Sequence, residues 1–206
     1  IIFTGLIRTP ERFIKSVNDY TKLKSENKIN QIILSTWIGE LDNYNGLRNF
    51  LKKKDILIVE SLPPFNEKDT YFFQVKSLHL GLDNIKDSNS FIFKTRPDVY
   101  LKPEALLSIF NLDLTINLKS KKIFEKKIWV PWFEITKPFY IADECIFGKF
   151  DDIFKLINYE KIYDHYFVMD AGHEHVRKYV HPFLTSYPIF KKYLKYLSTT
   201  AHNTSY

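Results

Sequence analysis

The segment FIFKTRPDVYLKP, Phe91 to Pro103, places Lys94, Arg96 and Asp98 directly after an apolar run. Two cations and a carboxylate this close together suit a phosphate-bearing ligand. Guanidinium and ammonium groups stabilise charge on a leaving diphosphate. A carboxylate is a natural ligand for a hard divalent cation that shares its shell with phosphate oxygens. The competing explanation is a local Arg96–Asp98 ion pair in a turn. A surface pair is worth only about 0–1 kcal/mol, so stability alone is a weak reason for the cluster, and function is favoured.

Four further clusters could carry chemistry. In TGLIRTPERF, Gly5 ends an apolar run and Arg8 precedes a helix start, a good place to hold a phosphate. A surface arginine in a turn is the commoner outcome for such a residue. In LSTWIGE, Ser35, Thr36 and Trp37 offer hydroxyls and an aromatic face to a base or sugar. A Ser/Thr cap beside a core Trp explains them equally well. In IADECIFGKFDDIF, Asp143 is the first choice for a general base towards an acceptor hydroxyl and Glu144 the second. Asp151 and Asp152 read as helix caps. In HEHVRKYVH, His173 and His175 would share one face of a strand and hold a metal there. Surface histidines on a helix are the simpler reading.

These clusters need elements to position them. Ile1–Thr4 reads as a buried strand broken by Gly5. Thr9 suits an N-cap and Pro10 the first helical position, with Phe13, Ile14, Val17 and Tyr20–Thr21 on one helical face. A second strand is read at Ile32–Leu34, a helix in LRNFLKKK and a third strand in DILIVES. The spacing of Phe72, Val75, Leu78, His79 and Leu82 predicts the next helix, and SFIFKTRPD the fourth strand. PEALLSIFN is a short helix, DECIFGK a strand or loop, and a helix starts near Asp151. Alternating strands and helices predict an α/β fold with a mostly parallel sheet and flanking helices. The irregular remainder, with breaks at Pro182 and Pro188, reads as helical. In open α/β sheets, ligands bind beyond the carboxyl ends of the strands, where Arg8, Ser35 and Asp98 all fall.

Composition sets outer limits. A chain of 206 residues, 45% hydrophobic and 26% charged, is globular and fits one domain. Aromatics reach 17%, with 18 Phe and 13 Tyr, which suits core filling as well as flat carbohydrate or nucleotide sites. The net charge of +6, with a pI near 9.1, admits an anionic ligand or acidic surface but equally a Lys-rich proteome. One cysteine, Cys145, excludes an intrachain disulfide and fits a reducing compartment. No apolar run approaches the roughly 20 residues of a membrane span. No signal peptide is visible, although the opening IIFTGLIR is already strand-like, so a native start or leader can lie upstream. The dinucleotide, P-loop, zinc-protease and nucleophile-elbow motifs are all missing. The Lys119–Lys127 cluster reads as a solvated loop or a contact to anionic lipid headgroups, with nucleic acid the weaker idea. The tail FKKYLKYL, Phe190–Leu197, suits a membrane contact.

FTGLIR, IILSTWIGE, QVKSLHLGLDNI, FIFKTRPDVYL and DECIFGKFDDI together resemble the WavE-like family of bacterial lipopolysaccharide-synthesis glycosyltransferases, over Ile1 to Leu156. Each motif is short; their order carries the resemblance. It implies a single GT-A-like domain, with residues 1–100 binding a nucleotide sugar and 101–206 an acceptor. It also implies transfer of a sugar to a surface glycan, lipopolysaccharide or capsule, by a cytoplasmic enzyme peripheral to the inner membrane. Arg8, Ser35, Thr36, Trp37, Gln74, Lys94 and Arg96 would line the donor site. Asp98 would take the part of the metal-binding carboxylate motif. Val99-Tyr100 follows it, so the two-carboxylate D-x-D is missing. Asp98 would then hold Mg²⁺ or Mn²⁺ with diphosphate oxygens, joined by His173 or His175, or Arg and Lys would replace the metal. A phosphoryl- or nucleotidyl-transferase acting on sugars, and a non-catalytic nucleotide-sugar or carbohydrate-binding domain, are the competing functions.

Overall fold

A computed structural model describes residues 1–63, 70–116, 123–133, 142 and 144–157, with backbone alone for 70–72. The described chain is a mixed α/β fold. Five strands form one sheet: β1 (Ile2–Thr4), β2 (Ile33–Trp37), β3 (Leu57–Ser61), β4 (Phe91–Thr95) and β5 (Cys145–Lys149). The spatial order is β3-β2-β1-β4-β5. The first four strands run parallel, and β5 pairs antiparallel with β4. This architecture is compatible with a Rossmann-like fold. The order reverses between β1 and β4, so the crevice between their carboxyl ends is the topological switch point.

Helices α1 (Pro10–Ser25), α2 (Leu47–Lys53), α3 (Thr70–Leu82), α4 (Pro103–Phe110) and α5 (Phe150–Ile157) flank the sheet. Strand alternation sends Phe3, Leu34, Phe93 and Phe147 to one face, where Phe13, Val17 and Tyr20 of α1 and Leu106 of α4 cover them. The other face carries Ile2, Ile33, Ile92 and Ile146 under Val75, Leu78 and Leu82 of α3 and Ile153 of α5. Both faces are therefore apolar, as the short unbroken strands require.

Local readings are corrected in several places. Thr9 is the N-cap residue of α1 and Pro10 follows it, but the Thr9 side chain makes no capping bond. Ile14, expected on the buried face, is 37% exposed. The second strand runs on through Ser35, Thr36 and Trp37, because these residues pair in register with Val59, Glu60 and Ser61. Asp152 does not cap α5. It is 2% exposed, and its carboxylate accepts the backbone N–H groups of Glu125 and Lys126 at 2.7 and 2.8 Å. That bond pair fastens the 123–133 segment to α5, and a bridge from Trp129 to Phe147 fastens it to β5. Among the described residues no helix is long and apolar enough to cross a membrane.

Candidate functional site

The chain leaves β1 through Gly5, whose φ of +93° lies where residues with a Cβ are strained. The Gly5 N–H donates to the Ser35 carbonyl at 3.0 Å and to Ser77 Oγ at 3.1 Å. The Ser77 hydroxyl in turn donates to the Ser35 carbonyl at 2.6 Å. Two residues on, the Ile7 N–H donates to Glu40 Oε1 at 2.7 Å, and the Tyr44 hydroxyl donates to the Ile7 carbonyl. The β1–α1 loop is thus clamped on both sides of exposed Leu6, and Arg8 is delivered to solvent ahead of α1.

β4 reaches the same edge. Lys94 is only 2% exposed, although lysine is rarely buried so deeply. It pairs in register with Ile2 on one side and Ile146 on the other. Just beyond the strand, Arg96 donates from Nε to Asp98 Oδ1 at 2.9 Å and from an Nη to Oδ2 at 2.8 Å. This is a side-on fork, and both side chains are largely covered, at 26% and 16% exposure. Burial pushes the Asp98 carboxyl up, but the Arg96 hydrogen bonds and charge, with help from Arg8, bring it below the ordinary value. Arg96 by contact and Arg8 by its charge therefore both act on Asp98 at the carboxyl edge of the sheet. The local ion pair weighed against function in the sequence is present here.

The turn carrying Asp98 is fixed from α1. The Tyr20 hydroxyl donates to the Leu101 carbonyl at 3.1 Å and accepts the Leu101 N–H at 3.3 Å. Tyr100 donates to Asp19 Oδ2 at 2.9 Å. The residue two positions after Asp98 is thus a tyrosine engaged with α1.

Ser35 and Thr36 are each 1% exposed and Trp37 5%, so these three line the interior rather than an open donor surface. Ser35 lies beneath α3, where a Cβ on Gly81 would come within 3.5 Å of it. Ser35 Oγ, Thr36 Oγ1 and Ser61 Oγ are buried without a hydrogen-bond partner. Trp37 packs edge-on against Phe73, with ring centroids 5.4 Å apart. Gln74 is half-buried one turn before Ser77, on the end of α3 nearest this edge.

Glu144 immediately precedes β5. The antiparallel register sets Thr95 opposite Cys145, so Glu144 precedes β5 at the edge where Arg96 follows β4. Glu144 Oε2 is buried and accepts no hydrogen bond. Asp143, His173, His175 and the Phe190–Leu197 tail lie outside the described residues. Among the described residues, no three His, Cys, Asp or Glu side chains group as a metal site. Cys145 is buried, and burial pushes its thiol up, which leaves it unreactive.

Reasoning from sequence missed Glu40, Tyr44 and Ser77. Each makes its contact across more than 30 residues of chain, so no local pattern announces it. A cavity of about 740 Å³ opens at the amino edge of the sheet, lined in part by Gln31, Phe91 and Phe110. It is remote from Arg8, Arg96 and Glu144. The charged carboxyl edge is the better candidate site, because clustered cations and an unspent carboxylate oxygen have chemistry to perform.

The fold is that of a mixed α/β protein with a five-stranded, mostly parallel sheet, compatible with a Rossmann-like fold, and the candidate site is the group of charged residues at the carboxyl edge of that sheet. Comparison with protein-family models, curated proteins and solved structures finds no match.

Proposed function

We propose that this protein is a GT-A-like glycosyltransferase that moves a sugar from a nucleotide-sugar donor to a bacterial surface glycan. One observation carries the reading. Arg96 and Arg8 both act on Asp98 at the carboxyl edge of the sheet, Lys94 is buried in β4 two residues before Arg96, and β5 starts at the same edge just after Glu144, one oxygen of which is buried with no hydrogen-bond partner. Cations at that edge suit a departing diphosphate, and a carboxylate suits a proton acceptor.

In the reaction, the acceptor hydroxyl oxygen forms a bond to the anomeric carbon. The bond from that carbon to the diphosphate breaks, and the diphosphate leaves with the electron pair. The hydroxyl proton passes to a carboxylate, Glu144 or Asp143. Gln74 would reach the donor from α3. The hydroxyls of Ser35 and Thr36, enclosed in the sheet, would shape the donor side from below. The lipopolysaccharide or capsule acceptor, the place at the inner membrane and the lipid contact of Phe190–Leu197 belong to the same proposal.

The closed Arg96–Asp98 fork favours one competitor, a domain that binds a nucleotide sugar without transfer. A thermal-shift panel of uridine, cytidine and guanosine diphosphate sugars, with and without Mn²⁺, tests the shared premise. Stabilisation by at least one donor is expected, and none by any would sink the reading. Donor hydrolysis that Glu144→Gln reduces about 100-fold or more separates enzyme from binding module. Co-sedimentation with anionic vesicles, with and without the tail, tests the membrane contact. Equal binding by both forms would remove it.

A further inference from the structure

The lysine-rich run beside β5 has no part in sugar transfer. From Lys119 to Lys137 the sequence holds six lysines and two glutamates, around the apolar stretch Ile128 to Phe133. The structure describes 123–133 of this span and anchors it firmly. The Asp152 carboxylate accepts the Glu125 and Lys126 N–H groups, and the Lys127 N–H donates to the Leu114 carbonyl at 2.7 Å. Trp129 exchanges two backbone bonds with Phe147, at 2.7 and 2.9 Å. Glu125 is already paired with Lys149 at 2.6 Å. Asp113, tied to the Thr115 N–H, is the other carboxylate that feels Lys126 and Lys127. Beyond these anchors the segment ends in exposed rings: Trp132 is 47% and Phe133 65% exposed. Adjacent large apolar side chains held in water are costly, and such patches mark contact surfaces.

We infer that the 123–133 segment is a docking strip for an anionic lipid surface, with Trp132 and Phe133 entering the headgroup boundary and Lys126 and Lys127 meeting the anionic headgroups. The excess of lysine over glutamate supplies the complementary charge. Tryptophan suits the membrane–water boundary, where its ring meets both apolar and polar surroundings. The order along the strip favours lipid over nucleic acid. A single-stranded nucleic acid needs cations and aromatic faces interleaved along its track. Here the lysines stand at one end and the rings at the other, as an interface that sorts charge from apolar surface requires. The bridge to Phe147 is antiparallel, so the segment runs from Trp129 towards the start of β5, and the Trp132 carbonyl accepts the Ala142 N–H at 3.1 Å. The rings therefore stand towards the end of β5 that Glu144 precedes. Resting on the transferase reading, this placement turns the candidate site towards a lipid-linked acceptor. The contact itself does not need that reading.

Fluorescence titration of the whole chain with vesicles tests this, comparing mixed phosphatidylglycerol and phosphatidylcholine with phosphatidylcholine alone. Binding should favour the anionic vesicles about tenfold or more and weaken as salt rises. Lipid brominated near the headgroup should quench tryptophan emission. Trp132→Phe should abolish that quenching, because Trp37 is buried and Trp129 is pinned to β5. The double variant Trp132→Ser with Phe133→Ser should bind about tenfold or more weakly, and so should Lys126→Gln with Lys127→Gln. The lysine pair bonds Asp152 and Leu114 through backbone N–H groups, so its replacement should leave the melting temperature at the wild-type value. Equal vesicle binding by wild type and both double variants would overturn the inference, and so would quenching that survives in Trp132→Phe. Binding to single-stranded RNA but to neither vesicle would overturn it as well. Nucleotide-sugar stabilisation should be the same in all these variants. Its absence from wild type would count against the transferase reading and leave the lipid contact standing.

Discussion

Arg96 and Asp98 show how one residue pair serves stability and function together. Burial alone would raise the Asp98 carboxyl, yet the Arg96 fork and the Arg8 charge hold it below its ordinary 3.8. A depressed folded pKa contributes stability that is present above the unfolded value and lost as pH falls through the folded one. Denaturant unfolding of Asp98→Asn should therefore show a deficit against wild type at pH 7, and the deficit should shrink at about pH 3. An unchanged gap at the two pH values would mean that the lost stability does not come from the charged fork. Lys94 raises the same question from the other sign. Lys94→Met keeps the apolar stem in the sheet and removes the charge. It should weaken diphosphate binding about tenfold or more in titration calorimetry. The cluster of Lys94, Arg96 and Asp98 was legible in the sequence. The fork was weighed there as the weaker explanation, because sequence spacing does not say whether two side chains close on each other.

At the scale of elements, α3 matters through two small residues. Ser77 ties the end of β1 to β2, and Gly81 lets the helix approach the sheet. A Cβ on Gly81 would stand 2.6 Å from Ile2 Cγ2, against a strand residue that is fully buried. Gly81→Ala should cost about 1–3 kcal/mol through overpacking, despite alanine's better helix propensity. A melting-temperature fall of roughly 2–4 °C per kcal/mol would register it. The tie from α1 to the Asp98 turn is equally specific. Tyr20→Phe strands the Leu101 N–H and carbonyl together, at about 1–3 kcal/mol. Diphosphate affinity should fall in the same variant, since the turn carrying Arg96 loosens. Alternation and helical spacing were enough to place the first four strands and the five helices of the described residues in order, while DECIFGK was left as a strand or loop and proves to be β5. They could not set where β2 ends: its last three residues join the sheet because β3 lies alongside to pair with them.

For the molecule as a whole, sheet order places the chemistry. Arg8 and Arg96 are separated by 88 positions in the numbering, yet both act at one crevice because β1 and β4 are neighbours. Glu144 reaches that edge because β5 enters the sheet antiparallel, so its start, not its end, meets the carboxyl end of β4. A parallel β5 would have carried Glu144 to the opposite rim. The pairing also makes a prediction about the last strand. Asp152→Asn should weaken the two backbone bonds that pin the 123–133 segment, so amide exchange at Glu125 and Lys126 should speed up while exchange in β1 holds.

By itself the sequence determined the alternation of strands and helices, the apolar character of both sheet faces and the candidate charged residues. Those properties are local: they follow from side-chain periodicity, from Pro and Gly positions and from composition. The tertiary structure alone decided which charges meet. It closed Arg96 on Asp98, drew Ser35 and Thr36 into the interior, turned Asp152 from a cap into an anchor and hung the Arg8 loop on Glu40 and Tyr44. Each of those outcomes depends on a partner brought close by strand order or by a turn's geometry, and neither is written in the spacing of residues along the chain.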